Sequence, residues 1–430
     1  MQQMKRLLLV LFLAFLFIRG EGQDLIQFLK SCPDITDIKK IQGNGNPFFN
    51  NTYEIMVKQR LDYKDTTKGY FLQRVFVSDK APAQPVVFIT EGYAASYMER
   101  AQSINELCPM LNANQICVEH RYFGKSVPEP IDWQYLTVEN AANDHHRIVQ
   151  LFKKYFTGKW ISTGISKGGQ TALAFRAFFP NDVDATVAYV APLNFGVEDG
   201  RHEPFLEHVG TAECREKIRS FQKEVLKRRP SMVPLLKDYA SSKKFTFPIS
   251  MDEVFDFTVL EYSYAFWQWG SSCKEIPGIT AADSTLFNHL IKISSPDYFS
   301  YEGRAIYVPF FYQAAHELGY YGYDIKPFGK LLSIKTAKGY LNRFMAPGKT
   351  PVPYDGRTSK LVKKFLEKEA TNVILLYGEN DPWSASAASV RLKGNNLKVV
   401  NPGGCHKTRI SSLPQNMKKE VMKTLSKALN

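Results

Sequence analysis

The sequence predicts an α/β protein, a mostly parallel sheet flanked by helices, with an inserted helical cap. Three observations carry this. Short apolar runs alternate with helix-periodic stretches over residues 53–193. From about 194 to 365 that alternation stops, and the chain becomes helix-like, charged and aromatic, with proline breaks. It resumes with NVILLY at 372–377 and LKVV at 397–400. Strand–helix alternation implies a parallel sheet covered on both faces. Inserting a cap between its halves is thermodynamically mild when the ends of the insert lie close together.

The elements follow in order. Residues 53–61 and 70–78 read as strands around a polar turn containing Asp65 and Gly69. PVVFIT at 85–90 reads as a buried strand, another strand ends at 117–120, and residues 98–111 between them carry helical spacing. Thr137 reads as a helix N-cap. After it, Val138, Ala141, His145, Ile148, Val149 and Phe152 recur near a 3.6-residue period, so His145 reads as a packed histidine. A strand at 160–163, a glycine-rich turn, a helix through Phe179 and a β-rich run over 185–193 come next. A closing amphipathic helix follows Pro414. The expected division is a signal peptide at 1–22, a first core part at 23–193, a cap at 194–365 and a second core part at 366–430.

Composition narrows the class. With 430 residues, 44% hydrophobic and 13% aromatic, the chain can fill a large core and shows no sign of disorder. Lys5 and Arg6 precede an apolar run at 7–18 that Arg19–Gly22 break. That run is shorter than the roughly 20 residues a bilayer needs, so it reads as a signal peptide. The expected location is secreted or periplasmic, with no membrane span after signal removal. Six cysteines in an exported chain suggest disulfides, whose connectivity the sequence leaves open. No CxxC pair or zinc-type His/Cys spacing occurs, so neither a metal nor a cofactor is expected. The formal charge of +13 is scattered, with modest clusters at 227–229 and at Lys418, Lys419, Lys423 and Lys427. These read as solvated helix faces, and no nucleic-acid partner is expected. Oligomeric state is not legible.

The chemistry centres on Gly164-Ile165-Ser166-Lys167-Gly168, a G-x-S-x-G turn between an apolar strand and a helix-compatible stretch. Such a turn lifts a serine hydroxyl above the sheet and aims the next backbone N–H, that of Lys167, at a developing oxyanion. This is the nucleophile signature of the α/β-hydrolase fold, where acid and histidine follow the serine in that order. Asp381 follows the strand at 372–377, and His406 follows LKVV. Of eight histidines, only His406 lies after Asp381. Glu379 is a rival acid in the same loop. Cys405 reads as a structural disulfide or buried thiol. A second oxyanion N–H is expected from Gly92 or Tyr93, in the loop after PVVFIT.

Further motifs extend the pattern: EHRYFG at 119–124, GISKGG at 164–169, YVAPLN at 189–194, FWQWG at 266–270, GENDPW at 378–383 and GGCH at 403–406. In this order they resemble the bacterial prolyl tri/tetrapeptidyl aminopeptidase family of serine peptidases, over most of the chain after residue 22. Prolylcarboxypeptidase and the lysosomal-type dipeptidyl peptidases are more distant in pattern, and usually carry Tyr where Lys167 stands. The resemblance implies a peptidase that removes short peptides from a free N-terminus, preferably after proline. It implies Ser166 as nucleophile, His406 as general base and acid, and Asp381 as its orienting partner. A cationic N-terminus calls for a carboxylate, and Glu91, Glu261 and Glu317 are candidates beside ordinary salt-bridge roles. Tyr264, Trp267, Trp269 and Trp383 could wall a proline pocket or simply be core. A carboxylester hydrolase or lipase of the same fold is the alternative enzyme, and a catalytically inactive binding protein the third reading.

Overall fold

The computed structural model describes residues 24–41, 47–348 and 353–430, and the expected signal peptide lies outside them. Nine strands form one sheet: β1 (Ile35–Lys40), β2 (Asn51–Arg60), β3 (Tyr70–Asp79), β4 (Val86–Thr90), β5 (Asn114–Val118), β6 (Trp160–Ile165), β7 (Ala185–Tyr189), β8 (Val373–Gly378) and β9 (Leu397–Asn401). Their spatial order is β1-β2-β3-β5-β4-β6-β7-β8-β9. The pairings β1–β2, β2–β3 and β3–β5 are antiparallel, and every pairing from β5 to β9 is parallel. This is an α/β-hydrolase sheet.

Its strands read as continuous apolar runs because both faces are covered. On β4, Val86 and Phe88 pack with Ile148, Val149 and Phe152 of the helix Val138–Phe152 and with Phe175 of the helix Lys167–Phe178. Val87 and Ile89 point the other way, against Leu107, Val421 and Leu425. The two-residue alternation of a strand separates the two cores. Thr137 caps its helix as the sequence implies, its hydroxyl accepting the Asn140 N–H at 3.1 Å. His145 is buried between Phe88 and Phe175, a packed histidine.

Between β7 and β8 the chain is helical, with the helices His202–His208, Ala212–Lys227, Arg229–Lys243, Met251–Trp269 and Asp283–Ile293 followed by short turns. Met251–Trp269 begins with a reciprocal Ser250/Glu253 cap and ends at Gly270, whose φ is 71°. A disulfide joins Cys214 to Cys273, tying Ala212–Lys227 to the turn after that helix. The helix Arg357–Lys368 packs on Lys167–Phe178 and so flanks the sheet, which ends the inserted helices earlier than the expected boundary at 365.

Two further expectations change. Residues 98–111 hold only a turn at Ser96–Glu99 and a short helix Leu107–Leu111. Asn105 interrupts the helix, since its side chain accepts the Leu107 N–H and its own N–H goes to Gln115. The run at 185–193 stops being a strand at Tyr189, and Val190 turns the chain with φ at 44°. Strand β1 carries no fully buried side chain, which is why its sequence gives no apolar signal.

Buried ions anchor the sheet's β3–β5 side. Arg121 binds Asp144 through two nitrogens at 2.7 and 2.9 Å. Glu119 accepts from the Arg74 guanidinium, the Ala95 and Lys125 N–H groups (both 2.8 Å) and the Ser126 hydroxyl at 2.9 Å. The EHRYFG segment is therefore scaffolding, and through Ala95 it supports the loop after β4.

Candidate active site

Four loops leave the carboxyl ends of parallel strands on the same side of the sheet: those after β4, β6, β8 and β9. Ligands of open α/β sheets bind at this edge. Ser166 follows β6 and caps the next helix with φ 56° and ψ −122°, a conformation costing of order 1–3 kcal/mol for a side-chain-bearing residue. Its N–H donates to Tyr189 O at 2.8 Å, which fixes the turn to β7. A Cβ at Gly164 would lie 2.2 Å from Gly168 O, so the bend admits only glycine there.

His406 and Asp381 meet as the sequence order implies. Both are buried, and Nδ1–H donates to Asp381 Oδ2 at 2.7 Å. A neutral imidazole donating through Nδ1 keeps Nε2 as its acceptor. Asp381 Oδ1 accepts the Trp383 N–H at 3.1 Å. The rival Glu379 is exposed and accepts the Gly403 N–H at 2.7 Å, so it does not share the imidazole. The His406 N–H donates to Gln268 O at 3.0 Å, which ties the histidine loop to the helix Met251–Trp269. Among the described residues Ser166 Oγ makes no hydrogen bond to the imidazole; such contacts often close only with substrate in place.

The backbone donors also resolve. Lys167 N–H starts its helix with no acceptor among the described residues, and Tyr93 N–H likewise has none. The Gly92 N–H likewise makes no hydrogen bond among the described residues, so both residues of this loop keep a free donor.

The three candidate carboxylates separate. Glu91 is turned behind its loop, where Tyr97 OH donates to it at 2.5 Å, and burial pushes its pKa up. Glu317 accepts the Val138 N–H at 2.7 Å, at the positive end of the helix Val138–Phe152, so it is a helix anchor. Glu261 is buried on the helix Met251–Trp269 and accepts from Tyr321 OH at 2.9 and 3.0 Å and from Tyr323 OH at 2.7 Å. No cation pairs with it among the described residues, and burial raises its pKa to about 7.

The aromatic candidates divide too. Trp383 and Trp269 lie 6.5 and 5.9 Å from the His406 ring. Trp267 faces away, into a cavity on the far side of its helix with Arg215, Arg219 and Phe328. Tyr264 stacks on Tyr321 at 4.1 Å and donates to Gly322 O, a supporting position. Sequence reasoning missed the rings that join them. From Tyr93 a chain of ring contacts runs through Phe310 (5.5 Å) and Tyr320 (5.5 Å) to Trp383 (5.1 Å) and then His406. Tyr321 lies against Trp383 at 5.3 Å, which brings Glu261 to the same arc. The only sequence signal was the dense run Tyr320-Tyr321-Gly322-Tyr323. Cys405 is a partly buried free thiol, not a disulfide partner; Cys32, Cys108 and Cys117 are buried thiols.

The chain resembles known proteins over most of its length. The family model described as PS-10 peptidase S37 matches residues 20–427. The chain is 33% identical over 401 residues to a prolyl tri/tetrapeptidyl aminopeptidase of Streptomyces mobaraensis, covering 88% of this chain and 82% of that protein. It is 22% identical to a lysosomal Pro-X carboxypeptidase of Bos taurus, covering 78% of each. Among solved structures, a proline iminopeptidase of Mycobacterium smegmatis aligns with a TM-score of 0.39 at 12% identity, covering 87% of this chain and 98% of that one.

Proposed function

Because the chain belongs to the peptidase S37 family and is a serine-type peptidase, we propose that it releases short peptides, of three or four residues, from free N-termini, with proline preceding the cleaved bond. In this reading Ser166 Oγ attacks the carbonyl while His406 Nε2 takes its proton. Asp381 holds the imidazole in the tautomer that leaves Nε2 free and stabilises the imidazolium that forms. The Lys167 and Tyr93 N–H groups receive the oxyanion. His406 then protonates the departing amine, and water, deprotonated by the same base, releases the acyl group. The peptide lies along the aromatic arc, with Trp383 and Tyr320 offering flat faces to proline. An exported enzyme fits both the leader expected at 1–22 and the Cys214–Cys273 disulfide.

The observation that carries the aminopeptidase reading is Glu261. A buried carboxylate with hydrogen-bond donors but no cation is costly to ionise, and a substrate ammonium arriving along the arc would complete it. A carboxypeptidase would instead call for a cation at that place. A fluorophosphonate probe, Ala-Ala-Pro-nitroanilide and a short-chain nitrophenyl ester test the assignment together. The expected result is one phosphonyl adduct on Ser166 and amide turnover that Ser166→Ala abolishes. Ester turnover with the amide untouched would replace the peptidase reading by an esterase one.

A further inference from the structure

Lys167 follows the proposed nucleophile, and its side chain does something the elbow does not require. The side chain turns down into the protein and is 3% exposed. Its Nζ donates to Gly92 O at 2.5 Å and lies 5.4 and 5.0 Å from the ring centres of Tyr93 and Phe123. Among the described residues no carboxylate lies within 4.0 Å of it, and burial pushes its pKa well down against the weaker opposing pull of the Glu91 charge. An amine in such a place is costly unless its one strong hydrogen bond has a purpose.

The acceptor gives that purpose. The carbonyl of Gly92 belongs to the same peptide plane as the N–H of Tyr93, and in a trans peptide the two point in opposite directions. Drawing Gly92 O toward the buried Nζ therefore points the Tyr93 N–H away from the amine. Gly92 sits tightly on the elbow: a Cβ there would lie 2.7 Å from both Lys167 Cβ and Gly168 N. A side chain at residue 92 would push the loop off the amine that holds it.

We infer that Lys167 is a positioning residue for the whole oxyanion site: its main-chain N–H is one donor, and its side chain, through Gly92 O, sets the direction of the other, Tyr93 N–H. One residue would thus fix the spacing between the two donors, because both are referenced to its own backbone. The serine, the loop after β4 and the oxyanion site would move as one body. This rests on the acyl-transfer reading of Ser166.

Lys167→Met keeps the stem and removes the hydrogen bond. A preorganised donor matters only when the carbonyl oxygen becomes an anion, so its loss should fall on kcat. The expected result is a kcat for Ala-Ala-Pro-nitroanilide lower by about 10²-fold with KM within about twofold. Affinity for an Ala-Ala-Pro boronic acid, whose adduct places an oxygen in the site, should fall in parallel, while affinity for the Ala-Ala-Pro product stays unchanged. A merely structural lysine would not split these two ligands. A folded Lys167→Met enzyme with wild-type kcat and boronate affinity would overturn the inference. Should that variant fail to fold, Lys167→Gln keeps a donor on a shorter stem. It should lower kcat and boronate affinity together by a smaller factor, and wild-type values for both would overturn the inference equally. Ser166→Ala separates the premise: if it cleaves at the wild-type rate, the acyl-transfer reading itself fails.

Discussion

Two places in this molecule bury carboxylates in opposite ways. On the β3–β5 side of the sheet, Arg121 meets Asp144 and Arg74 meets Glu119, each pair further satisfied by backbone or hydroxyl groups. Among the inserted helices, Glu261 is equally buried but has only tyrosine hydroxyls around it. The first arrangement is self-sufficient. The second is electrostatically incomplete, and incompleteness of that kind is expected where a partner comes from outside. The contrast explains why the EHRYFG segment, for all its charge, belongs to the scaffold, whereas a single glutamate among the inserted helices is the one we propose to bear on specificity.

The sharpest way to separate site from scaffold is Asp381→Asn. It should lower kcat by about 10⁴-fold through loss of the productive imidazole tautomer, with the melting midpoint nearly unchanged in calorimetry. Asp144→Ala should do the reverse. It removes the carboxylate that Arg121 binds through two nitrogens and should cost about 3–5 kcal/mol of stability, read from denaturant unfolding, with kcat little affected in the fraction that remains folded. A large kcat loss in fully folded Asp144→Ala protein would blur the distinction.

Glu261 makes a pH-dependent prediction whose sign is fixed. Its pKa is raised from 4.5 to about 7 in the folded protein, so the unfolded chain releases this proton first as pH rises. Stability from this group is complete below about pH 4.5 and is lost as pH rises through 7, by roughly 3 kcal/mol. Glu261→Gln should therefore flatten the stability profile between these values and leave the variant more stable than wild type at pH 8. An unchanged profile would mean that the carboxylate is not held neutral by its surroundings. The smallest effect should come from an exposed pair, Lys292 with Glu275: Lys292→Met should leave the melting midpoint where it is.

How much of this was legible in the sequence depended on whether the information was local. The elbow, Asp381 and His406 could be placed because each follows an apolar strand at a fixed chain order, and the structure joins the last two at 2.7 Å. Thr137 and the stripe of the helix after it were equally local. Failures came where a side chain redirected the backbone, as Asn105 does, or where an edge strand such as β1 lacked apolar residues. The three glutamates looked alike in sequence because their roles are set by distant partners. Val138 lies far along the chain from Glu317, and Tyr321 and Tyr323 from Glu261. The choice between Gly92 and Tyr93 turns on the orientation of one peptide plane, which no residue pattern encodes.

The central claim is that a serine peptidase site is extended by a carboxylate that reads the substrate's free amine. The most direct test is kcat/KM for Ala-Ala-Pro-nitroanilide and for its N-acetylated twin, in wild type and in Glu261→Gln at pH 8. The account predicts that wild type strongly prefers the free amine. It also predicts that Glu261→Gln loses most of that preference by slowing the free substrate, with the acetylated one little changed. Equal turnover of both substrates by wild type, or a preference that survives in Glu261→Gln, would contradict it.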